Sequence, residues 1–191
     1  MILRGLAKRR MKRIATEALS NEAKRALFNA TTAIDLSAAK DIIAEYKHNA
    51  IEAKTFERVK FIFEDIAFDT TKKKHIGHVN GFPCDGKIND FGKCYKCNED
   101  NAQFKVVYGF KAVLHEINNE SIILSVTCGP GAGRSMFGME ASEFAKLSDS
   151  QMLDKIEELS GVPMVAGMII AHDPDKNDTF VCIYDINKLD V

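Results

Sequence analysis

The 191-residue sequence contains no tryptophan and only four prolines, and its formal net charge is −1 at pH 7. No apolar run reaches about eighteen residues, so no transmembrane helix is predicted. The near-neutral charge excludes a field that would draw the whole chain to nucleic acid, and any such binding must use a local patch. The five cysteines are an odd number with three close together, which fits a reducing compartment better than a disulfide framework.

The three clustered cysteines lie in the stretch from His75 to Cys97. Cys94 and Cys97 form a C-x-x-C pair, and Cys84 lies upstream, beside a turn-like Asp-Gly pair. Two thiolates at the C-x-x-C spacing can both reach one Zn²⁺ at about 2.3 Å, which makes half of a tetrahedral site. Cys84 offers a third ligand, and the fourth is predicted to be His78, with His75 as the alternative. The sequence thus predicts a structural Zn²⁺, and ordinary reduced cysteines in a hairpin are the competing interpretation.

The N-terminal part of the chain is basic and then helical in pattern. Residues 1–13 carry six Lys or Arg and no acid, which is typical of a nucleic-acid arm, a transit peptide or a solvated helix start. Transit peptides are usually rich in Ser, which this stretch lacks, so the arm or helix is favoured, while organellar targeting stays open. From Ile14 to about Lys54 the chain lacks Gly and Pro and has apolar residues near a period of 3.6. Two helices are predicted there, with a break at residues 29–36.

From Thr55 the pattern changes to alternation, which predicts strands. The first strand is predicted to run from Thr55 to about Phe68, ahead of the cysteine stretch. A hairpin is predicted from the strands Phe104–Ile117 and Ser121–Cys128. The glycine-rich residues 129–134 lack the Gly-Lys-Ser/Thr of a phosphate loop and are predicted to form a bend. A helix over residues 140–160 and strands over Met164–Ala171 and Thr179–Ile186 complete the chain.

This order of elements predicts a fold class. Five strands with a helix between the third and fourth is the order of an OB-fold, a small Greek-key barrel. The prediction is a mostly β protein with helices: a five-stranded OB-fold barrel with an inserted zinc ribbon at about residues 75–100, preceded by an N-terminal helical segment. Two regions are predicted, a basic and helical one over residues 1–54 and the barrel over residues 55–191.

Roughly from Phe56 to Asn187, the sequence resembles the zinc-ribbon OB-fold at the C-terminal end of the large subunit of replication protein A, and related single-strand and telomere-binding modules. The similarity lies in GFPCDGKI followed by GKCYKC, in the strand opening at residues 104–107 and in the helix start at residues 136–141. The family usually has four ribbon cysteines where this chain has three, which leaves the first position near His78. It also often has a Trp on the third strand, where this chain has isoleucines at positions 122 and 123.

The resemblance implies a single-stranded DNA-binding protein of replication, repair or telomere maintenance, nuclear, with subunits of a replication protein A-like complex as partners. RNA as the ligand stays open. OB barrels bind strands with basic side chains for phosphates and aromatic ones for bases. The candidate binding residues are Lys72, Lys73, Lys74, Lys87, Lys93, Tyr95, Lys96, Lys105, Lys111 and Arg134. Other stacking candidates are Phe91, Phe104, Tyr108 and Phe110. The last three occupy alternate positions of one predicted strand, so they are expected to face the same side, and the core is the favoured side.

Two other classes of function compete with nucleic-acid binding. The missing Trp and the near-neutral charge favour a scaffolding subunit that binds partner proteins through the OB-fold and the N-terminal helices. An enzyme is the least favoured class, and no catalytic residue is predicted. No spacing ties Glu64 or Asp65 to the ribbon, and Cys128 and Cys182 lie within apolar strands and are expected to be buried. His48 is expected at the surface of a helix.

Overall fold

A computed structural model describes residues 32–49, 52–79 and 82–189, with only the backbone for residues 78, 79, 82 and 83. The predictions for residues 1–13 and for the first helix lie outside the described residues. In the described part, the elements in chain order are β1 (Ile34–Asp35), α1 (Leu36–Asn49), β2 (Ala53–Ile66), β3 (Thr71–His75), β4 (His78–Val79), β5 (Phe82–Pro83), β6 (Phe104–Tyr108), β7 (Phe110–Glu116), β8 (Asn119–Cys128), α2 (Pro130–Phe137), α3 (Ala141–Phe144), α4 (Asp149–Glu157), β9 (Met164–Asp173) and β10 (Asp178–Lys188).

Five long strands close into a barrel. The sheet has the order β2–β7–β8–β10–β9, and β9 pairs back with β2 over Ala53–Phe61. All neighbours are antiparallel except β8 and β10, which are parallel. The alternating side chains of β2 place Val59, Phe61 and Phe63 inside, each less than 5% exposed. The predicted five-stranded OB-fold is therefore confirmed.

Helix α1 belongs to the same packed unit as the barrel. Its residues Leu36 and Ala39 are fully buried in the hydrophobic core that includes the barrel interior, and β1 pairs in parallel with the middle of β2. A backbone N–H in the first turn of α1 finds its acceptor on the β7–β8 hairpin: the N–H of Ser37 donates to a Glu116 carboxylate oxygen at 2.8 Å. The helix ends at Asn49 rather than near Lys54, since β2 already pairs with β9 from Ala53.

The predicted strand Phe104–Ile117 is wrong as a single element. It is two strands separated at Gly109, whose N–H donates to the Thr70 carbonyl at 3.0 Å. The first, β6, pairs with β3 in a separate two-stranded sheet, and the second, β7, pairs with β2 in the barrel. Tyr108 and Phe110 are buried as expected, but Phe104 is 46% exposed, so its predicted burial is wrong. The parity argument assumed one continuous strand.

The glycine-rich segment 129–134 is mostly helix rather than the predicted bend. Gly129 precedes α2, and Pro130 occupies its first turn. A backbone N–H at that position would have no partner within the helix, so proline costs no hydrogen bond there. A Cβ on Gly133 would lie 2.3 Å from Cγ of Tyr108, so the glycine lets the helix approach β6. The next predicted helix is divided into α3 and α4, because Ser148 and Gln151 form a capping box that starts α4.

Candidate metal centre and nucleic-acid interface

The ribbon is the connection between β2 and β7, residues 67–109, which contains the β3–β6 sheet and the short β4–β5 pair. His75 ends β3, Cys84 follows β5, and Cys94 and Cys97 lie in the turns that return the chain to β6. Backbone contacts bring these segments together, because the N–H of Cys84 donates to the Gly77 carbonyl and Ile88 forms a β-bridge with Cys94. These backbone contacts therefore bring four side chains of metal-binding type close together.

These four side chains form a compact cluster. The ligand atoms of His75, Cys84, Cys94 and Cys97 all lie within 4.8 Å of one another. The Sγ atoms of Cys84 and Cys94 are 3.7 Å apart, and Cys97 Sγ is 3.5 Å from Nδ1 of His75. Tetrahedral Zn²⁺ bonded to sulfur at about 2.3 Å and to nitrogen at about 2.0 Å gives edges of about 3.8 and 3.5 Å. The observed distances match these edges, so the cluster can bind a metal ion with bond lengths like those of zinc.

The histidine in the cluster is His75, the alternative of the sequence analysis. The side chain of His78 lies outside the described residues, so its selection as the fourth ligand stays a prediction. His75 is 3% exposed, and its Nε2 lies 3.2 Å from a Glu99 carboxylate oxygen, although that pair is not aligned as a hydrogen bond. A carboxylate beside the second nitrogen of a ligating histidine is a common outer contact in metal sites. No pattern in the sequence indicates Glu99.

Two glycines make room for the cluster. A Cβ on Gly86 would lie 2.5 Å from Sγ of Cys94, and a Cβ on Gly77 would lie 2.4 Å from Nε2 of His75. A larger residue would displace the Cys94 sulfur at the first position and the His75 ring at the second. The Asp-Gly pair after Cys84 indicates a turn in the sequence, but its role in admitting a sulfur atom is visible only in the structure.

The cysteine thiols have divergent acidities. Burial raises the pKa of Cys84 to about 11, an effect that the neighbouring sulfurs reinforce. Burial alone would raise the pKa of Cys94 too. The backbone N–H groups of Cys97 and Lys96 donate to its sulfur, however, and lower that pKa to about 7. Cys94 thus ionises readily, whereas Cys84 needs a nearby cation to do so. Thiolate is the form that binds metal.

The predicted basic residues fall into three groups. Lys72, Lys73 and Lys74 lie on β3 and Lys105 on β6, with Lys74 directly opposite Lys105 and also bridged to Lys87. Two ribbon lysines have acidic partners: Lys93 lies 3.6 Å from Asp100, and Lys96 contacts Asp85. Outside the ribbon, Lys111 is exposed on β7, and Arg134 pairs with Glu140 at 2.7 Å. The structure therefore brings together Lys74, Lys87 and Lys105 of the ribbon, while Lys111 and Arg134 lie on other elements.

The aromatic candidates separate by exposure. Phe91 is 91% and Tyr95 68% exposed, whereas Tyr108 and Phe110 are buried under α2 and α3 and cannot stack on a ligand. Phe104 is half-buried, with Nζ of Lys73 5.3 Å from its ring centroid. The β7–β8 face carries Ile123 at 50% exposure and no aromatic side chain. Exposed aromatic surface is thus concentrated on the ribbon.

The remaining titratable groups do not form a reactive constellation within the described residues. Burial raises the pKa of the Cys128 thiol well above its usual range, which makes it a poor nucleophile. His172 is buried with Nδ1 at 3.1 Å from the Thr179 hydroxyl, and His115 lies 3.8 Å from Glu64. Cys128 and Cys182 are buried and His48 is exposed, as predicted. Among the helices in this part of the chain, none is long and apolar enough to cross a membrane.

The barrel and the ribbon together define an OB-fold with a Cys₃His insertion between its first and second barrel strands. The fold is similar to those of two replication protein A chains. A chain of a replication protein A heterotrimer bound to single-stranded DNA matches with a TM-score of 0.59 and 15% identity over 84% of this chain. A chain of yeast replication protein A bound to single-stranded DNA matches with a TM-score of 0.57, at the same identity and coverage.

These similarities concern the fold alone, because the sequence identity is 15%. The match covers 37% of the chain from the heterotrimer and 90% of the yeast chain. No protein-family model matches the sequence, and no curated protein matches it either. The resemblance to replication protein A in the sequence is thus supported by the fold, while the role of the protein must be argued from its own residues.

Proposed function

We propose that this protein binds single-stranded DNA through its OB-fold and ribbon, as a non-enzymatic component of replication, repair or telomere maintenance. The observation that carries the proposal is the shared architecture with replication protein A chains bound to single-stranded DNA. The ribbon adds a local basic surface with exposed aromatic side chains, which suits a ligand of phosphates and unpaired bases. A nuclear location is part of this proposal.

We also propose that the metal of the ribbon is zinc and that its role is structural. Three sulfurs and one imidazole are the donor set of a closed zinc site, which has no position for a reacting water. Among the described side chains, the ribbon has a small hydrophobic cluster of its own, in which Ile88 and Ala102 are buried beside the cysteines. Metal binding would therefore provide much of the free energy that folds it.

Two histidine variants identify the fourth ligand. We expect His75→Ala to weaken zinc binding more than about a hundredfold, beyond the usual effect of losing an outer contact. His78→Ala is the matched control and should retain zinc, because His75 completes the described cluster. Competition with a chromophoric chelator measures both affinities. Loss of zinc in His78→Ala with retention in His75→Ala would restore His78 as the ligand.

A titration with oligonucleotides tests the binding function. We expect the reduced, zinc-containing protein to bind single-stranded DNA with an affinity that falls as salt rises, because lysines displace counterions from phosphates. Fluorescence anisotropy at two salt concentrations measures this, with duplex DNA of the same sequence as the control. Equal affinity for duplex and single strand, or no affinity at low salt, would contradict the proposal.

The second candidate function is that of a scaffolding subunit. It is favoured by the β7–β8 face, which lacks an aromatic stacking platform, and by the near-neutral charge. A scaffold should show little affinity for single strands at either salt concentration. It should instead form a stable complex with subunits of a replication protein A-like assembly in size-exclusion chromatography.

A further inference from the structure

Four side chains on the ribbon form a continuous row across neighbouring chain segments. Lys105 on β6 lies opposite Lys74 on β3, and Lys74 is bridged to Lys87. The next segment continues the register, because Ile88 bridges Cys94 and the N–H of Tyr95 donates to the Lys87 carbonyl at 3.0 Å. We call Lys105, Lys74, Lys87 and Tyr95 the lysine–tyrosine row.

The row lies on one face of the ribbon. Residues directly opposite each other in antiparallel segments project to the same side, and successive residues alternate. Ile88 and Cys94, one step along, are 3% and 0% exposed and face the metal cluster. Lys87 and Tyr95 therefore face away from the metal, and both are exposed. Two members of the row, Lys74 and Tyr95, directly adjoin the cluster residues His75 and Cys94 in the sequence.

Like charges directly opposite each other in a sheet are destabilising, so Lys87 and Lys105, which lie on either side of Lys74, would be stabilised by an anion. Neither Lys87 nor Lys105 has an acidic partner in the part of the chain that the structure describes. By contrast, the nearby Lys93 and Lys96 contact Asp100 and Asp85. A polyanion lying along the row would supply the counter-charge that Lys87 and Lys105 lack.

The dimensions of the row fit a single nucleic-acid strand. Adjacent segments of a sheet lie about 4.8 Å apart, so the four positions span about 14 Å. At a spacing of 3.4 Å or more per phosphate along one strand, that length matches at most about four phosphates. Tyr95 at one end, 68% exposed, offers a ring on which an unpaired base can stack. A duplex would hide its bases from such a ring.

We propose that the lysine–tyrosine row is the path of a single strand across the ribbon, with phosphates on the three lysines and a base stacked on Tyr95. This inference rests on the proposed single-strand binding and adds a location to it. It places the strand on the ribbon sheet and separates that surface from the β7–β8 face of the barrel, where Lys111 lies.

The test compares variants of the full chain, each checked for zinc content, against oligothymidine and oligouridine of about 20 nucleotides, longer than one OB-fold covers. The triple variant Lys74→Gln, Lys87→Gln, Lys105→Gln should lose about tenfold or more in affinity at low salt. Its plot of log affinity against log salt should be shallower by about 2, at roughly 0.7 per lost phosphate contact. A control with the exposed Lys40, Lys146 and Lys188 changed to Gln removes the same charge elsewhere.

Tyr95 is tested separately. Tyr95→Ala should lower affinity roughly five- to a hundredfold with an unchanged salt slope, since stacking releases no counterions, and Tyr95→Phe should restore it. If the wild type binds but the row variant behaves like the control, the row is wrong and the binding function stands. If the control loses more affinity than the row variant, the strand binds another surface and the row is again wrong. If the wild type binds neither oligonucleotide, the proposed function itself fails.

Discussion

Replacing Cys94 with serine is expected to abolish high-affinity zinc binding and unfold the ribbon while the barrel stays folded. Cys94 is fully buried at the centre of the cluster, 3.7 Å from the sulfur of Cys84, and its β-bridge with Ile88 joins two ribbon segments. Apparent binding free energies for structural Zn²⁺ are about 10–16 kcal/mol at neutral pH. The burial of Ile88 and Ala102 in the described part of the ribbon core cannot replace that amount.

Zinc analysis and hydrogen exchange measure the two effects of Cys94→Ser separately. Amide protection should fall over residues 71–108 and persist over β9, whose ten residues are all buried. Cys128→Ala is the matched control, since this cysteine is equally buried but lies in the barrel core, away from the metal cluster. It should keep its zinc. Full protection of the ribbon in a zinc-free Cys94→Ser protein would show that the metal has no structural role.

The barrel could be predicted from the sequence because its strands carry their own signals. Val59, Phe61 and Phe63 alternate with more exposed residues, and the described structure buries all three. The hairpin of β7 and β8 forms as predicted, with its turn at residues 117–118. A closed barrel needs each strand to bury the face that points inward, and on β2 this leaves a period-2 pattern in the sequence.

The ribbon could be predicted only in part, since its structure depends on contacts between distant segments. The three cysteines indicated the site, but spacing could not select between His75 and His78. That selection depends on which segment β3 meets, and His75 ends a strand paired with β6 some thirty residues later in the chain. Gly109 divides β6 from β7 for the same reason, and parity therefore failed for Phe104 while it held for Tyr108.

The connection between ribbon and barrel passes through one aromatic cluster. Tyr108, the last residue of β6, packs with its ring centroid 5.8 Å from that of Phe144 and 5.6 Å from that of Phe137. Phe137 and Phe144 are themselves 4.5 Å apart, and Phe110 begins the barrel strand β7 beside them. The Tyr108 hydroxyl donates to the Met139 carbonyl at 3.0 Å. The cluster thus fixes the base of the ribbon on α2 and α3.

Phe144→Ala is therefore expected to destabilise the whole domain rather than the ribbon alone. Phe144 is fully buried among these rings, and truncating a buried Phe to Ala costs about 3–5 kcal/mol through lost burial and the cavity that remains. For a domain of this size, that corresponds to a fall in Tm of roughly 6–20 °C. Calorimetry of the zinc-containing protein measures the change.

Leu153→Ala on α4 is the control for Phe144→Ala, because Leu153 is also a large apolar side chain but is 47% exposed. Its effect on the free energy of unfolding should stay within about 0.5 kcal/mol. Zinc content should remain at the wild-type level in both variants, since neither residue contacts the metal cluster. If Phe144→Ala instead lost protection only over residues 71–108, the aromatic cluster would support the ribbon without contributing to the barrel, and the two parts would unfold independently.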